Sequence, residues 1–377
     1  MIDDEAEWLP RSWLRAGRIP IPPCVPPATT NRTPLVSILI PCHNYGRFLP
    51  SSVGSALTQT DVAIEVVIVD DASTDDSKSV AADLARSDSR IRLIALSENI
   101  GVIRAMNRAI REAQGEYLVK LDADDLLAPG SLRRSVALLE HYPNVGFAYG
   151  RPRHFTGDAP PAARLGHASW TIWPGADWLA LRCRRAVNCI SQPEAMIRAN
   201  ALRAVGDYNT ALPHTYDLEM WLRLAAAANV GRINGVDQGF YRVHAGSMSR
   251  TVNAGLLTDL IGRRDAFLGV LSTGGAGLAQ TVDLEETVRR QIAAQALEQA
   301  CRAYDRDRIA STPVDELITF STATFSAAET LPQWRGLQRR RSRAQPLSRW
   351  APASIAAAAL RRLREELAHA RWLRTGV

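Results

Sequence analysis

From residue 35 to about residue 150 the chain alternates short apolar runs with amphipathic stretches. Residues 36–40, 64–69, 91–95, 117–121 and 145–149 are aliphatic and β-branched runs of strand length. Between them, residues 50–58, a segment from about Thr74 with Val80, Ala81 and Leu84 on one face, and residues 131–140 carry helical spacing. The clearest helix is 101–114, where Ile103, Met106, Ile110 and Ala113 share a face and Gly115 follows as a stop. Strands that read as continuous apolar runs, each followed by a helix, predict a doubly wound, mainly parallel α/β sheet.

Beyond residue 150 the pattern loosens. Residues 151–175 hold Pro152, Gly157, Pro160, Pro161 and Pro174 and predict a loop-like insertion. A further strand is expected over 189–197 and a helix over 217–228; from about Gly255 the chain reads as helical and Arg-rich, with a break near Pro346. At the other end, Pro20, Pro22, Pro23, Pro26 and Pro27 predict an extended lead-in, with Trp8 and Trp13 available to dock it. The expected division is a lead-in over 1–33, a catalytic domain over 34–254 and a helical extension over 255–377.

Composition narrows the class. With 46% hydrophobic residues, the 377-residue chain can bury a core. The net charge of +6 is carried by arginine, since only Lys78 and Lys120 are lysines. Cys24, Cys42, Cys183, Cys189 and Cys301 are odd in number and lack metal-like spacing, which fits a reducing compartment. The acidic start, Met1-Ile2-Asp3-Asp4-Glu5, does not read as a signal peptide, and no apolar run reaches the roughly 18 residues of a membrane span. A cytoplasmic protein is expected, with attachment at the inner face of the membrane left open. Arg335, Arg339, Arg340, Arg341, Arg343 and Arg349 precede a segment with Leu360, Leu363 and Leu367 on one side and Arg361, Arg362, Arg364, Arg371 and Arg374 elsewhere. That layout suits a peripheral membrane contact, packing on the catalytic domain, or a contact between copies of the chain. No nucleic-acid-recognition motif accompanies the charge.

The densest chemistry is in Lys120-Leu121-Asp122-Ala123-Asp124-Asp125, where an apolar strand runs into three carboxylates. Carboxyl ends of strands are where open α/β sheets bind ligands. Clustered carboxylates repel one another unless a cation sits among them, and a hard divalent ion such as Mn²⁺ or Mg²⁺ prefers such oxygen ligands. Five further stretches stand in order around it. They are Ile40-Pro41-Cys42-His43-Asn44, Val69-Asp70-Asp71-Ala72-Ser73-Thr74-Asp75, Asn99-Ile100-Gly101, Tyr216-Asp217-Leu218-Glu219-Met220-Trp221-Leu222-Arg223, and Tyr241-Arg242-Val243-His244 with Ser247-Met248-Ser249-Arg250 after it. Ser73 or Thr74 can also cap a following helix, and capping its own helix is the lesser alternative for Asp217.

Together these stretches resemble the family 2 glycosyltransferases, over roughly residues 34–250. The resemblance implies the GT-A fold and a nucleotide-sugar-dependent, inverting transferase. Its implied nucleotide-sugar-binding residues are Pro41, His43, Asn44, Asp70, Asp71, Asn99, Gly101, Asp122 and Arg242. Of the two adjacent aspartates, Asp71 is the one expected to accept from a pyrimidine N3–H, with Asp70 satisfying loop amides. Asp122, Asp124 and His244 are the implied metal ligands, with Asp125 orienting them. Asp217 is the implied general base. Tyr216 stands where relatives usually have Glu, and Glu219 is the second choice of base. The helix start is expected to hold the Asp217 pKa down. Gln192 and Glu194, in Ser191-Gln192-Pro193-Glu194, are acceptor-side candidates with Glu219. The expected reaction transfers a sugar from a UDP- or dTDP-sugar to a hydroxyl of a glycan or lipid-linked acceptor, in bacterial polysaccharide or glycoconjugate synthesis. The alternative is a non-catalytic nucleotide-sugar-binding subunit of a glycan assembly complex. A nucleotidyltransferase is disfavoured, because no Gly-rich phosphate loop follows the first strand.

Overall fold

The computed structural model describes residues 21–244, 246, 255–273 and 281–342, with positions 359, 362, 363, 366, 367, 370 and 372. Its first half follows the expected alternation: strands β1 (Leu35–Cys42), β2 (Ala63–Asp70), β3 (Ile91–Ala95) and β4 (Tyr117–Lys120) are separated by helices α1 (Leu49–Leu57), α2 (Ser77–Ser87) and α3 (Val102–Glu112). β1 pairs in parallel with β2 and β4, and β2 in parallel with β3. β1 explains the continuous apolar run. Val36, Ile38 and Ile40 pack on one face with Leu49, Val53 and Ala81 from α1 and α2, while Leu39 packs on the other with Ile103 and Met106 of α3. A strand alternates faces every residue, so one covered by helices on both sides is apolar throughout. Gly115 lets the chain leave α3 and enter β4, since a Cβ there would sit 2.5 Å from Ser37 Oγ and 2.7 Å from Ser37 N.

The second half departs from a simple doubly wound sheet. It adds β5 (Leu126–Leu127), α4 (Ser131–His141), β6 (Val145–Phe155), β7 (Leu165–Trp173), α5 (Gly175–Arg185), β8 (Met196–Arg198), α6 (Ala199–Val205), α7 (Tyr216–Ala227) and β9 (Asn229–Arg242). The nine-stranded sheet runs β3-β2-β1-β4-β8-β6-β9-β5, with β7 also on β9. β8 is antiparallel to both β4 and β6, and β5 and β7 are antiparallel to β9, so the sheet is mainly parallel on one side and mixed on the other.

Three expectations need correction. The segment 151–175 is not a loop: β6 runs on to Phe155, and Leu165–Trp173 pairs along β9 with Trp170 and Trp173 buried. The strand expected over 189–197 shrinks to Met196–Arg198, and the residues before it form a turn. β9, fourteen residues long, was not anticipated by the apolar pattern.

Next come helices α8 (Leu256–Thr273), α9 (Thr281–Asp305), α10 (Val314–Thr324) and α11 (Pro332–Arg341). α9 packs against α8, α10, α11 and α5, and α8 against α7, so these helices extend the core on the α3 face of the sheet. From the arginine cluster, Arg340 is tied to Asp305 at 2.8 and 3.0 Å. The expectations for Trp8, Trp13, Ser247, Met248, Ser249, Arg250, Arg343, Pro346, Arg349, Leu360, Arg361, Arg364, Arg371 and Arg374 lie outside the described residues. Leu363 and Leu367 are exposed, and Cys24, Cys42, Cys183 and Cys189 are free thiols. Among the described residues, no helix is long and apolar enough to cross a membrane.

Candidate active site

A cleft of about 400 Å³ opens at the carboxyl ends of β1, β2 and β4 and is bounded by the start of α7 and the end of β9. Pro41, Cys42 and His43 enter it from the end of β1, Asp71 from the end of β2, the Asp122–Asp125 segment from the end of β4, and Tyr216 and Asp217 from α7. Parallel strands ending at one edge bring these groups together although they are up to 176 residues apart in sequence (217 minus 41).

On the β1–β2 side, Asp71 is the organising group. The Ile100 N–H donates to its Oδ1 at 2.7 Å and the Gly101 N–H to its Oδ2 at 2.9 Å. Gly101 starts α3 at φ +84°, a backbone region that favours glycine. The loop amides therefore go to Asp71. Asp70, assigned them in the sequence reading, is fully buried with neither carboxylate oxygen hydrogen-bonded, and it does not line the cleft. His43 Nδ1 lies 2.8 Å from the Asp71 carbonyl oxygen, and the Asn99 Nδ2 is 3.2 Å from the same ring, so the imidazole is held at the cleft edge. Asn44 joins two loops: its Oδ1 accepts from the Thr74 N–H at 2.8 Å and the Asp75 N–H at 3.3 Å. It is the Asp75 carboxylate, rather than Ser73 or Thr74, that accepts from the Ser77 N–H at the start of α2, at 2.9 Å.

The acidic cluster is divided between different partners. Lys120, buried under the sheet edge, forms an ion pair with Asp122 Oδ1. Burial is the largest single influence and opposes the Lys120 charge, but Asp122 together with Tyr216 and Tyr208 more than offsets it, so the ammonium pKa is raised. Asp124 Oδ2 lies 2.9 Å from His244 Nε2. Burial and the neighbouring Asp122 push the Asp124 carboxyl above its ordinary range. Asp125 is buried and accepts the Arg242 N–H at 2.8 Å through Oδ1, which ties the acidic turn to the end of β9 and so brings His244 to Asp124. Burial, then Asp124 and Asp122, raise its pKa well above the usual carboxylate value.

Among the described residues, no three His, Cys, Asp or Glu side chains lie close enough together to hold a metal. Two do meet, Asp124 and His244, while Asp122 is engaged by Lys120. One or two protein ligands suffice where substrate phosphates complete the coordination of Mg²⁺ or Mn²⁺, and the desolvated Asp124 carboxylate is the kind of oxygen donor such an ion prefers.

Opposite the acidic cluster, Asp217 is partly buried at the first turn of α7. Asn188 Nδ2 donates to its Oδ2 at 2.8 Å, and its own helix's Leu218 N–H donates to Oδ1 at 2.7 Å. The expectation of a depressed pKa is overturned. Burial pushes the Asp217 carboxyl up, only partly offset by the Leu218 amide, Lys120 and Asn188. Near it, Glu194 is buried with its pKa pushed up to about 7, first by burial and then, among raising effects, by the Asp217 charge.

Two expected residues are engaged elsewhere. Arg242 directs its Nε to the Asp124 carbonyl at 2.8 Å and its Nη1 to the carbonyls of Gly157 and Asp158, and its guanidinium lies over the Phe48 and Phe155 rings. It braces the β9 end and does not line the cleft. Glu219 pairs with Arg223 at 2.9 Å along α7 and also lies off the cleft. Conversely, Asn188, Tyr45, His154 and His214 belong to the site or its support and were not named from sequence, while Lys120 and Tyr241 stood in the quoted stretches without an assigned role. Lys120 carried a signal: it is one of two lysines in an arginine-rich chain and stands two residues before the acidic turn.

Residues 37–206 match the model of glycosyl transferase family 2. This segment belongs to that family. It resembles the chondroitin synthase of Escherichia coli, at 30% identity over 208 residues, covering 55% of this chain and 29% of that one. It also resembles the putative teichuronic acid biosynthesis glycosyltransferase TuaG of Bacillus subtilis, at 36% identity over 110 residues, covering 29% of this chain and 44% of that one. The chain thus spans less than half the length of either curated relative. TarS of S. aureus, solved in complex with UDP-GlcNAc, superposes with a TM-score of 0.53 at 14% identity, covering 81% of this chain and 91% of that one. That likeness concerns the fold, and the expected GT-A architecture is borne out.

Proposed function

We propose that this protein transfers a sugar from a nucleoside-diphosphate sugar to a hydroxyl acceptor with inversion, in the synthesis of a bacterial polysaccharide or glycoconjugate. The observation that carries this reading is that one cleft is shared by Asp71, Asp122, Asp124 and the helix-borne carboxylate Asp217. Relatives named for chondroitin and teichuronic acid synthesis support the product class. The donor base sits between His43 and Asp71, whose carboxylate keeps lone pairs for a pyrimidine N3–H beyond the two amides it accepts. UDP- and dTDP-sugars are therefore the proposed donors, with Pro41, Asn44, Asn99 and Gly101 shaping the pocket.

Asp124, with His244 2.9 Å from it, would hold a divalent ion, Mn²⁺ or Mg²⁺, beside Asp122. When bound, that ion supplies positive charge for the departing diphosphate. Lys120 contributes a fixed cation on the same side through Asp122. Asp217 accepts the proton of the acceptor hydroxyl as that oxygen attacks the anomeric carbon from the face opposite the leaving group, which inverts the configuration. Asn188 orients the carboxylate, and its N–H stabilises the ionised form that the step requires. The aromatic rim of Tyr45, His154 and Tyr241 gives a sugar acceptor apolar faces to lie against. The site belongs to a catalytic domain over 34–254, with 255–377 as a helical extension. We place the protein in the cytoplasm, with a peripheral membrane contact through residues 335–377 as part of the proposal.

Asp217→Asn tests the reading. It keeps the shape and the Asn188 contact region while removing the base, so UDP-sugar affinity should hold within about threefold as sugar transfer falls by about 10²–10⁴-fold. A variant that transfers sugar at the wild-type rate removes Asp217 from the chemistry.

A further inference from the structure

The turn leading into β8 is built around a side chain that no structural role explains. Gln192 is 5% exposed, lines the cleft, and has neither its Oε1 nor its Nε2 hydrogen-bonded. Its backbone stands at φ +95°, a region that disfavours every residue except glycine. Two penalties thus coincide at one residue, an unsatisfied buried carboxamide and a strained backbone, and each is normally removed unless something in function keeps it.

The surroundings fix the strain in place. The Ala195 N–H donates to the Gln192 carbonyl at 3.0 Å, and the Ser191 N–H donates to Glu194 Oε1 at 2.6 Å. Gly239 of β9 packs directly on Pro193, where a Cβ would lie 2.9 Å away. The turn is therefore clamped from within and from β9, so Gln192 cannot relax into an ordinary conformation without disturbing it.

Register tells which part of a substrate this turn meets. β8 runs antiparallel to β4, with Tyr117 opposite Arg198 and Leu118 opposite Ile197. Continuing that pairing past the ends of the ladder carries the 191–195 turn alongside Lys120 to Asp124, with Gln192 level with Ala123 in the acidic segment. On the functional reading above, the diphosphate lies at that segment and the donor sugar beside it. We propose that Gln192 recognises the donor sugar ring. A carboxamide both donates and accepts, so it matches a neighbouring donor and acceptor on one ring, as in vicinal hydroxyls or an acetamido group. The inference rests on the donor-site reading and reassigns Gln192 from the acceptor side to the donor sugar; Glu194 is a positioning residue that holds the turn.

The test measures affinities of the full-length protein for UDP, UDP-glucose, UDP-galactose, UDP-glucuronate and UDP-N-acetylglucosamine by calorimetry with Mn²⁺, in wild type, Gln192→Gly and Gln192→Ala. At least one UDP-sugar is expected to bind wild type more tightly than UDP does. Gln192→Gly should keep UDP affinity within twofold and lose that extra affinity by about tenfold, as expected for one hydrogen-bonding side chain. It should also melt about 2–4 °C higher, because glycine relieves the positive φ and removes the unsatisfied amide. Glucose against N-acetylglucosamine separates hydroxyl from acetamido recognition. The proposal is overturned if Gln192→Gly keeps the wild-type preference for the sugar nucleotide, if it lowers the melting temperature, or if only the acceptor KM changes. Equal wild-type affinity for UDP and every UDP-sugar also overturns it. Absence of any nucleotide binding overturns the donor-site reading itself, and this inference with it.

Discussion

Replacing Lys120 by Met removes the one buried ammonium beneath the acidic turn while keeping the length of the side chain. The Lys120 side chain is 2% exposed and that of its partner Asp122 is 31% exposed. Removing one partner of a fully buried pair costs about 3–5 kcal/mol, most of it from the orphaned charge. Asp122 keeps nearly a third of its side chain in water, so its charge remains partly solvated and the expected loss is about 1–3 kcal/mol. In a domain of this size, a loss of about 2 kcal/mol lowers Tm by roughly 4–8 °C. The double variant Lys120→Met/Asp122→Asn should recover part of that loss, since it removes the orphaned charge too. The pH dependence has a definite sign. A lysine whose folded pKa is raised contributes stability that is complete below the unfolded value of about 10.4 and lost only as pH rises through the folded value. The difference between wild type and Lys120→Met should therefore stay flat between about pH 6 and 9 in calorimetric or fluorescence melts. A single variant that melts within about 1 °C of wild type, or a double variant no more stable than the single, would refute this account of the turn.

Other expectations follow from the same geometry. Because burial raises the Asp217 pKa, kcat/KM should fall on the acid side at a pH above the ordinary carboxylate value, as the base becomes protonated. Asn188→Ala removes a hydrogen bond to the ionised form, so a pH–rate profile should show that acid limb moved further upward. Asp71→Ala leaves the Ile100 amide without its acceptor and the Gly101 amide with the Asn99 Oδ1 alone, at 3.1 Å. It should cost about 1–3 kcal/mol in denaturant melts and weaken nucleotide binding, whereas an unchanged Kd for UDP would detach Asp71 from the base pocket. Arg242→Met removes the brace on the Asp124, Gly157 and Asp158 carbonyls, so it should reduce stability more than it changes nucleotide affinity. The reverse pattern would restore Arg242 to phosphate binding.

The first half of the fold was legible because each of its strands is sandwiched between helices and so reads as an uninterrupted apolar run. Leu165–Trp173 was not, since Pro160, Pro161 and Gly157 precede it and it lies at a margin of the sheet, where alternating polar residues such as His167 and Ser169 stay partly exposed. β9 pairs with three strands, β5, β6 and β7, in both directions and through register shifts, so its apolar residues follow no single period. The carboxylates of the cleft were legible because strand ends deliver them wherever the local sequence is placed. Their partners were not. The contacts of Asn188 with Asp217 and of Asp125 with the Arg242 amide join distant loops, and no local spacing encodes them. The Asp217 pKa was misjudged for the same reason: the helix start is visible in sequence, but the neighbours that bury the carboxyl are not.

The most direct test of the central claim is a thermal-shift titration with UDP, dTDP and GDP, each with and without Mn²⁺, on wild type and on Asp124→Ala. A ligand at about 100 times its Kd stabilises the fold by about 2.7 kcal/mol. The account predicts a Mn²⁺-dependent rise in melting temperature with a pyrimidine diphosphate, little response to GDP, and loss of the response in Asp124→Ala. A melting temperature that no nucleotide moves, or one that rises equally in wild type and Asp124→Ala, would contradict it.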